Sequence, residues 1–257
     1  MSYNKEMILD LYRDQASLHE DKPTSTIQDV RTRMLEIVNL TKYLSDGMRV
    51  LEVGCGNGYT AESIANQLDV FIHGVDFSKE MIQIAKKREG KKKRGAIFFE
   101  WMDILEPTIM EQYDVVFTER CLQNIMNWEN QKEALLNICK LIKPGGGFIM
   151  LESFSDAHKT LNEAREELGL AYIPVPYHNL MFDKELVLEF LGANFDFIEE
   201  NRFLSGYYFG TRLLYPKLLP DGKQPSNQSH IKDYLVALPN AGDFCPMKIL
   251  YFRKKKT

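Results

Sequence analysis

One stretch constrains this chain more than any other: Val50–Leu51–Glu52–Val53–Gly54–Cys55–Gly56–Asn57–Gly58. An apolar run stops abruptly in glycines set at every second position. Downstream, a second apolar run, Val70–Phe71–Ile72–His73–Gly74–Val75, stops at Asp76. Glycines let backbone bend and approach a ligand where a Cβ would block it. The helix that follows offers N–H groups with no partner of their own. A carboxylate ending the neighbouring strand can accept hydrogen bonds from ribose hydroxyls. Together these features predict a nucleoside cofactor lying across the carboxyl ends of two adjacent parallel strands, and hence an enzyme.

The rest of the first 155 residues fits that frame. Met7, Ile8, Leu11 and Tyr12 fall at helical spacing, and Val30, Met34, Ile37, Val38 and Tyr43 repeat the pattern after a break around Pro23. Residues 1–45 are therefore expected to form a helical cap. Strands are expected over 49–53, 71–75, 96–101, 114–118 and 148–152. Helices are expected over 60–68, from Ser78 onward and over 129–142. Pro144–Gly145–Gly146–Gly147 reads as a hard turn into the fifth strand. Apolar strands separated by amphipathic helices give a mostly parallel sheet with helices on both faces.

The end of the chain breaks the alternation. A helix is expected over 186–191, then strands over 195–203 and 246–252 that pair antiparallel at a sheet edge. Between them lies a long interruption. Loops of that length usually carry structure or function, and Tyr207, Tyr208, Phe209 and Tyr215 mark it as a segment folded over something. Residues 154–182 and 204–245 are expected to be insertions that form a substrate lid.

Composition narrows the partners. A net charge of −4 on 257 residues argues against a nucleic-acid surface. The basic run from Lys86 to Arg94 reads as a solvated turn, and Arg253–Lys256 as a soluble chain end. No segment approaches the roughly 20 apolar residues that cross a bilayer. Cys55, Cys121, Cys139 and Cys245 form no CxxC pair, which suits a reduced, cytoplasmic setting. No HExxH and no clustered His/Cys spacing occurs, so no metal is expected.

A dinucleotide would call for GxGxxG. Here the spacing is GxGxG, and Glu52 just ahead of it would repel a pyrophosphate while suiting a cationic amino-acid group. Asp103, two residues past the third strand, is placed to meet an adenine edge. At these residues the chain resembles the class I S-adenosylmethionine-dependent methyltransferases. LEVGCGNG (51–58) is similar to their first motif, GVDFSKEMI (74–82) to the second and MDI (102–104) to the third. YDVVF (113–117) and LIKPGGGFIMLE (141–152) match the fourth strand and the turn into the fifth. The resemblance implies one methyltransferase domain over 1–257, with a Rossmann-like seven-stranded α/β sheet whose last strand is antiparallel.

It also implies roles. Gly54 and Gly56 would contact the methionine portion of S-adenosylmethionine, with Glu52, Cys55 and Gly58 in the same motif. Asp76 would hold the ribose hydroxyls, and Phe77 and Met81 would pack near adenine. Asp103 would accept from the adenine amino group, flanked by Met102 and covered by Ile104. Glu119 and Arg120 would line the transfer site, and S-adenosylhomocysteine would be the product.

The acceptor is expected from four aromatic and cationic segments. They supply Tyr12 and His19, then Arg120, then Tyr172, Tyr177 and His178, and last Tyr207, Tyr208 and Arg212. His178 is the expected general base, since imidazole titrates near working pH, with Arg120 and Tyr177 beside it. Arginine suits a bidentate grip on phosphate or carboxylate. The Asn/Asp–Pro–Pro–aromatic motif of base-methylating relatives is replaced by Thr118–Glu119–Arg120–Cys121. The expected acceptor is therefore a small anionic or sugar-bearing molecule methylated on oxygen, such as a surface-polysaccharide precursor, in a monomer or homodimer with no nucleic-acid or membrane partner. N-methylation of a small amine and a non-catalytic cofactor-binding subunit are the alternatives.

Overall fold

Alternating side chains on each strand sort this chain into two apolar layers around one sheet. The structure is a computed structural model describing residues 5–91, 93–220, 223 and 225–256. Residues 1–4 of the expected cap, Lys92 of the basic run, residues 221, 222 and 224 of the second insertion and Thr257 lie outside the described residues.

Two helices, α1 (Lys5–His19) and α2 (Val30–Thr41), precede the sheet. The alternating core follows as β1 (Arg49–Val53), α3 (Tyr59–Gln67), β2 (Phe71–Asp76), α4 (Lys79–Lys86), β3 (Ala96–Trp101), β4 (Tyr113–Glu119), α5 (Trp128–Lys140) and β5 (Ile142–Ser153). The end comprises α6 (Ser155–Glu167), α7 (Lys184–Leu191), β6 (Phe195–Asn201), α8 (Ser205–Tyr208), a π-helical turn (Phe209–Leu214), α9 (Tyr215–Leu218), α10 (Ile231–Leu235) and β7 (Met247–Lys254). The seven strands lie in the order β3-β2-β1-β4-β5-β7-β6. All pairings are parallel except those of β7, which runs antiparallel to both neighbours.

One layer packs Leu51, Val116, Phe148 and Leu250 against Leu135 and Ile138 of α5 and Val187 of α7. The other packs Val50, Ile72, Phe117 and Ile149 against Ile37 of α2 and Ile64 of α3. Leu135 is fully buried, and truncating such a leucine to alanine costs about 2–5 kcal/mol.

Helix starts follow cap chemistry. Ser78 accepts from the Met81 N–H, Asn127 from Asn130 and Asp183 from Leu186, each at the first turn of its helix. The expected turn at Pro144 is a looped-out segment inside a ladder that begins earlier. Ile142 pairs with Tyr113, and the register resumes at Gly147 opposite Val115. The basic run and the tail are also less free than expected. Arg88 is buried, and Lys254 lies in β7 with its ammonium donating to the Cys139 and Ile142 carbonyls at 2.7 Å. Among the described residues no helix is long and apolar enough to cross a membrane. Asp156, Glu200 and Asp243 converge, but the Lys248 ammonium sits 2.9 Å from each.

β1 is central, with β2 and β4 on either side in register, so Val53 stands beside both Val75 and Thr118. The loops leaving these strands therefore open at one edge of the sheet, where ligands bind in open α/β folds.

Candidate active site

The glycine loop hangs from the end of β2. The Gly54 and Cys55 N–H groups donate to the Val75 carbonyl at 2.8 and 3.0 Å. Gly54 (φ 80°) permits a close approach to the chain leaving β4, because a Cβ there would lie 2.4 Å from the Cys121 side chain. Gly56 (φ 53°) lines a cavity, and a Cβ there would meet only the Thr26 methyl, at 3.8 Å. Asp76 locks loop and strand together: Oδ2 accepts from Gly56 N–H and Oδ1 from Ser78 N–H, both at 2.8 Å. Burial pushes its carboxyl up to about 6, against the pull of those two N–H groups.

The loop is braced from behind. Arg88 is buried, donates to the Asn57 carbonyl at 2.7 Å, and pairs with Glu62 and the Asp21 carbonyl. The Asn57 amide donates to the carbonyls of Glu20 and Lys22 at 3.0 Å, tying the end of α1 to the loop.

The cavity has a volume of about 380 Å³. Gly54, Cys55, Gly56, Asp76, Phe77 and Glu119 form the expected cofactor side of its wall. Tyr12, Arg120, His178, Tyr208 and Arg212 complete the part that sequence reasoning anticipated. Met102, Asp103 and Ile104 line an adjoining cleft with Asp76 and Phe77. That cleft holds only about 40 Å³, because Ile8 of α1 enters it and the Lys5 ammonium pairs with the Asp103 carboxylate.

Other expected residues lie elsewhere. Glu52 is buried beneath the loop, where the Ala61 N–H reaches its carboxyl and burial raises it well above the usual range. Gly58 opens α3 against the Phe99 ring. Met81 is buried with Ala16 and Ile84. His19 lies 3.2 Å from the Thr24 hydroxyl. Tyr207 is buried and donates to Asp29 at 2.8 Å. Tyr172 and Tyr177 are about two-thirds exposed, stacked edge-on against His158 and His178 respectively.

Under the loop, two arginines and two glutamates form a buried network. Arg120 has a positive φ of 55°, uncommon for a residue with a side chain. Its N–H donates to the Leu151 carbonyl, and its guanidinium donates to the Thr26 carbonyl at 3.1 Å and lies 3.2 Å from Glu36. Arg33 lies 3.5 Å from Glu119, which also accepts from the Thr60 hydroxyl at 2.7 Å and lies 3.9 Å from the Arg120 guanidinium. Burial alone would raise Glu119, but Arg33 and Arg120 outweigh it and hold it low. Glu36 is fully buried, and that burial raises it above the usual carboxylate range despite Arg120.

Arg33, Thr26 and His158 also line the cavity, and sequence reasoning passed over them; Asn124 lines it too, at the end of the candidate stretch 119–124. Arg33 looked like an ordinary polar helix position. Asn124 is the hub of one wall, accepting from the Tyr12 hydroxyl at 2.6 Å and donating to the His178 carbonyl and the Asn179 amide oxygen. His178 keeps a buried Nδ1 without a hydrogen-bond partner among the described residues, and burial lowers its pKa. The ring is therefore neutral near pH 7 and able to take a proton.

Comparison with known proteins agrees with this geometry. A family model described as a methyltransferase domain matches residues 44–196. An O-methyltransferase of Pyrenophora dematioidea is 34% identical over 128 residues, covering 49% of this chain and 46% of that protein. The chain spans about half the length of the curated relatives it matches. The magnesium protoporphyrin IX methyltransferase of Synechocystis PCC 6803 with bound SAM shares the fold at a TM-score of 0.61 and 13% identity, covering 98% of this chain and 97% of that one. The N-methyltransferase NodS of Bradyrhizobium japonicum in complex with S-adenosyl-L-homocysteine shares it at 0.57 and 17%, covering 95% and 96%. With the glycine loop, Asp76 and Asp103 at one sheet edge and a methyltransferase model matching most of the chain, this protein belongs to the class I S-adenosylmethionine-dependent methyltransferases.

Proposed function

We propose that the chain transfers the methyl group of S-adenosylmethionine to an oxygen of a small anionic molecule. The observation that carries this reading is a cavity running from the glycine loop and Asp76 to His178, whose Nδ1 is buried without a hydrogen-bond partner among the described residues. The residues present fit the donor. Gly56 leaves open space where a Cβ would intrude, Asp76 offers a carboxylate to ribose, and Asp103 becomes available to adenine once Lys5 yields.

When bound, S-adenosylmethionine supplies an electrophilic methyl on a sulfonium. The protein's own task is to align the acceptor with it, exclude water and receive a proton. Arg33 is our candidate to meet the methionine carboxylate, since its Nε has no hydrogen-bond partner among the described residues and it lines the cavity. The acceptor oxygen forms a bond to the methyl carbon as the carbon–sulfur bond breaks, with its electron pair left on sulfur. The hydroxyl proton passes to His178. Segments 154–182 and 204–245 supply the acceptor side, through His158 and His178 from the first and Tyr208 and Arg212 from the second, and we read them as the substrate lid. A sugar acceptor is less favoured than one with an apolar body, because Leu161, Ile173, Pro174 and Met247 form much of that wall.

The test uses methyl-labelled S-adenosylmethionine and a small-molecule extract, with the labelled product identified by mass spectrometry. A labelled methyl ether or ester is expected, and a labelled amine would move the reading to N-methylation. Donor binding with no labelled small molecule would instead favour a non-catalytic subunit. His178→Ala should lower kcat by about 10²–10⁴ while leaving S-adenosylhomocysteine affinity unchanged.

A further inference from the structure

We propose, resting on the methyltransferase reading, that Arg212 is the anion clamp of the acceptor site and that the acceptor is a monocarboxylate with a partly apolar body. Arg212 lines the cavity from the π-helical turn and its guanidinium lies 5.0 Å from the Tyr208 ring centre. π-helical turns are rare and concentrate at functional sites.

The charge on Arg212 is unanswered. Arg33 and Arg120 both lie within ion-pair distance of Glu119, Arg88 faces Glu62 and Arg31 faces Asp233. Among the described residues no carboxylate lies within ion-pair distance of Arg212 or of Arg165 behind it. Arg165 is buried and donates to the carbonyls of Ala171, at 2.7 Å, and Arg212. Those carbonyls satisfy its N–H groups but leave its charge uncompensated. Two neighbouring guanidiniums without a counter-ion raise a positive potential at this end of the cavity. Arg165 also fixes the turn that carries Arg212, joining α6, the chain after it and the π-helical turn.

The remaining wall sets the body of the acceptor. Leu161, Ile173, Pro174, Met181 and Met247 make an apolar part of the wall, beside polar side chains from Gln123, Asn124, Ser153, His158, His178 and Asn179. Sugar hydroxyls set against the apolar part would lose water without gaining partners. An apolar body suits that part, and a carboxylate on it matches the fork of one guanidinium. Of this pair Arg212 alone lines the cavity, and one guanidinium fork matches one planar carboxylate.

The test is ligand-observed NMR titration of the full chain saturated with S-adenosylhomocysteine, using benzoate, benzamide and phenyl phosphate as probes. Benzoate should bind about tenfold or more tightly than benzamide and more tightly than phenyl phosphate. Arg212→Gln should abolish the preference over benzamide, and Arg212→Lys should retain part of it, with S-adenosylhomocysteine affinity unchanged in both. Equal binding of benzoate and benzamide to the native chain, or an undiminished preference in R212Q, overturns the clamp. Tighter binding of phenyl phosphate overturns the carboxylate assignment. If the native chain fails to bind S-adenosylhomocysteine, the methyltransferase reading falls, and the same titration without it still decides the anion site. If R212Q does not fold, the comparison of the three probes on the native chain decides.

Discussion

The Lys232 ammonium lies 3.0 Å from the Asp29 carboxylate, across 203 positions of sequence, and both side chains are buried. The same carboxylate oxygen accepts from the Tyr207 hydroxyl at 2.8 Å, while its partner oxygen caps α2 through the Arg31 N–H. One aspartate thus joins the 204–245 segment to the helix that carries Arg33 and Glu36. Lys232→Met should destabilise the protein by about 3–5 kcal/mol, because it strands a buried carboxylate. Adding Asp29→Asn should recover part of the loss. Urea denaturation of the single and double variants measures both, and additive losses would refute the coupling.

Cofactor affinity should depend on pH through Asp76, whose carboxyl burial pushes up to about 6. Ribose hydroxyls donate to the ionised form, so binding lowers this pKa. Below about pH 6 binding must therefore release a proton, and affinity should fall by up to about tenfold per pH unit as pH drops. Above about pH 7 it should be flat. The sign for stability of the free protein is opposite. A carboxyl whose folded pKa exceeds the unfolded value near 3.9 binds more protons when folded, so its contribution weakens as pH rises through that window. Calorimetry from about pH 5 to pH 8 checks the first statement, and Asp76→Asn should flatten the profile while weakening binding.

Lys5 pairs with Asp103, the carboxylate we assign to adenine, and Ile8 lines the cleft beside it. The cofactor must therefore displace this end of α1. Lys5 is partly exposed, so its ion pair is worth at most about 1 kcal/mol, and Lys5→Ala should tighten S-adenosylhomocysteine binding by no more than about fivefold. A weaker complex in K5A would mean that Lys5 assists the cofactor rather than competing with it.

Glu36 and Glu119 share the Arg33–Arg120 network but are expected to carry different charges. Burial keeps Glu36 protonated, whereas the two arginines keep Glu119 ionised. Glu36→Gln, an isostere of the neutral acid, should change stability by less than about 1.5 kcal/mol. Glu119→Gln removes a buried counter-charge and should cost about 3–5 kcal/mol. Thermal unfolding that ranked the two in the opposite order would reverse the charge assignment.

The sheet and its glycine loop were legible because strand alternation and left-handed turns are local properties written in consecutive residues. Asp76 was legible for the same reason, as the first charge after an apolar run. Arg33 and Glu36 were not, since their roles depend on where α2 lands against β4, far away in sequence. The fate of Arg88 was hidden in a run of lysines. Charge density predicted solvent, but one guanidinium of the run turns inward to a loop carbonyl. Tyr172 and Tyr177 show the opposite error of scale. Aromatic residues in a long insertion suggested a wall, yet most of each ring faces outward.

That inward turn of Arg88 bears on how the donor is captured. A loop of three glycines is the costliest backbone to immobilise, because each glycine forfeits the most conformational freedom. Here the guanidinium holds the Asn57 carbonyl while the Asn57 amide holds the chain after α1. The entropy of ordering the loop is thus lost during folding rather than at the moment of encounter. The binding surface is preorganised, and the affinity available from its contacts is not diminished by having to freeze them.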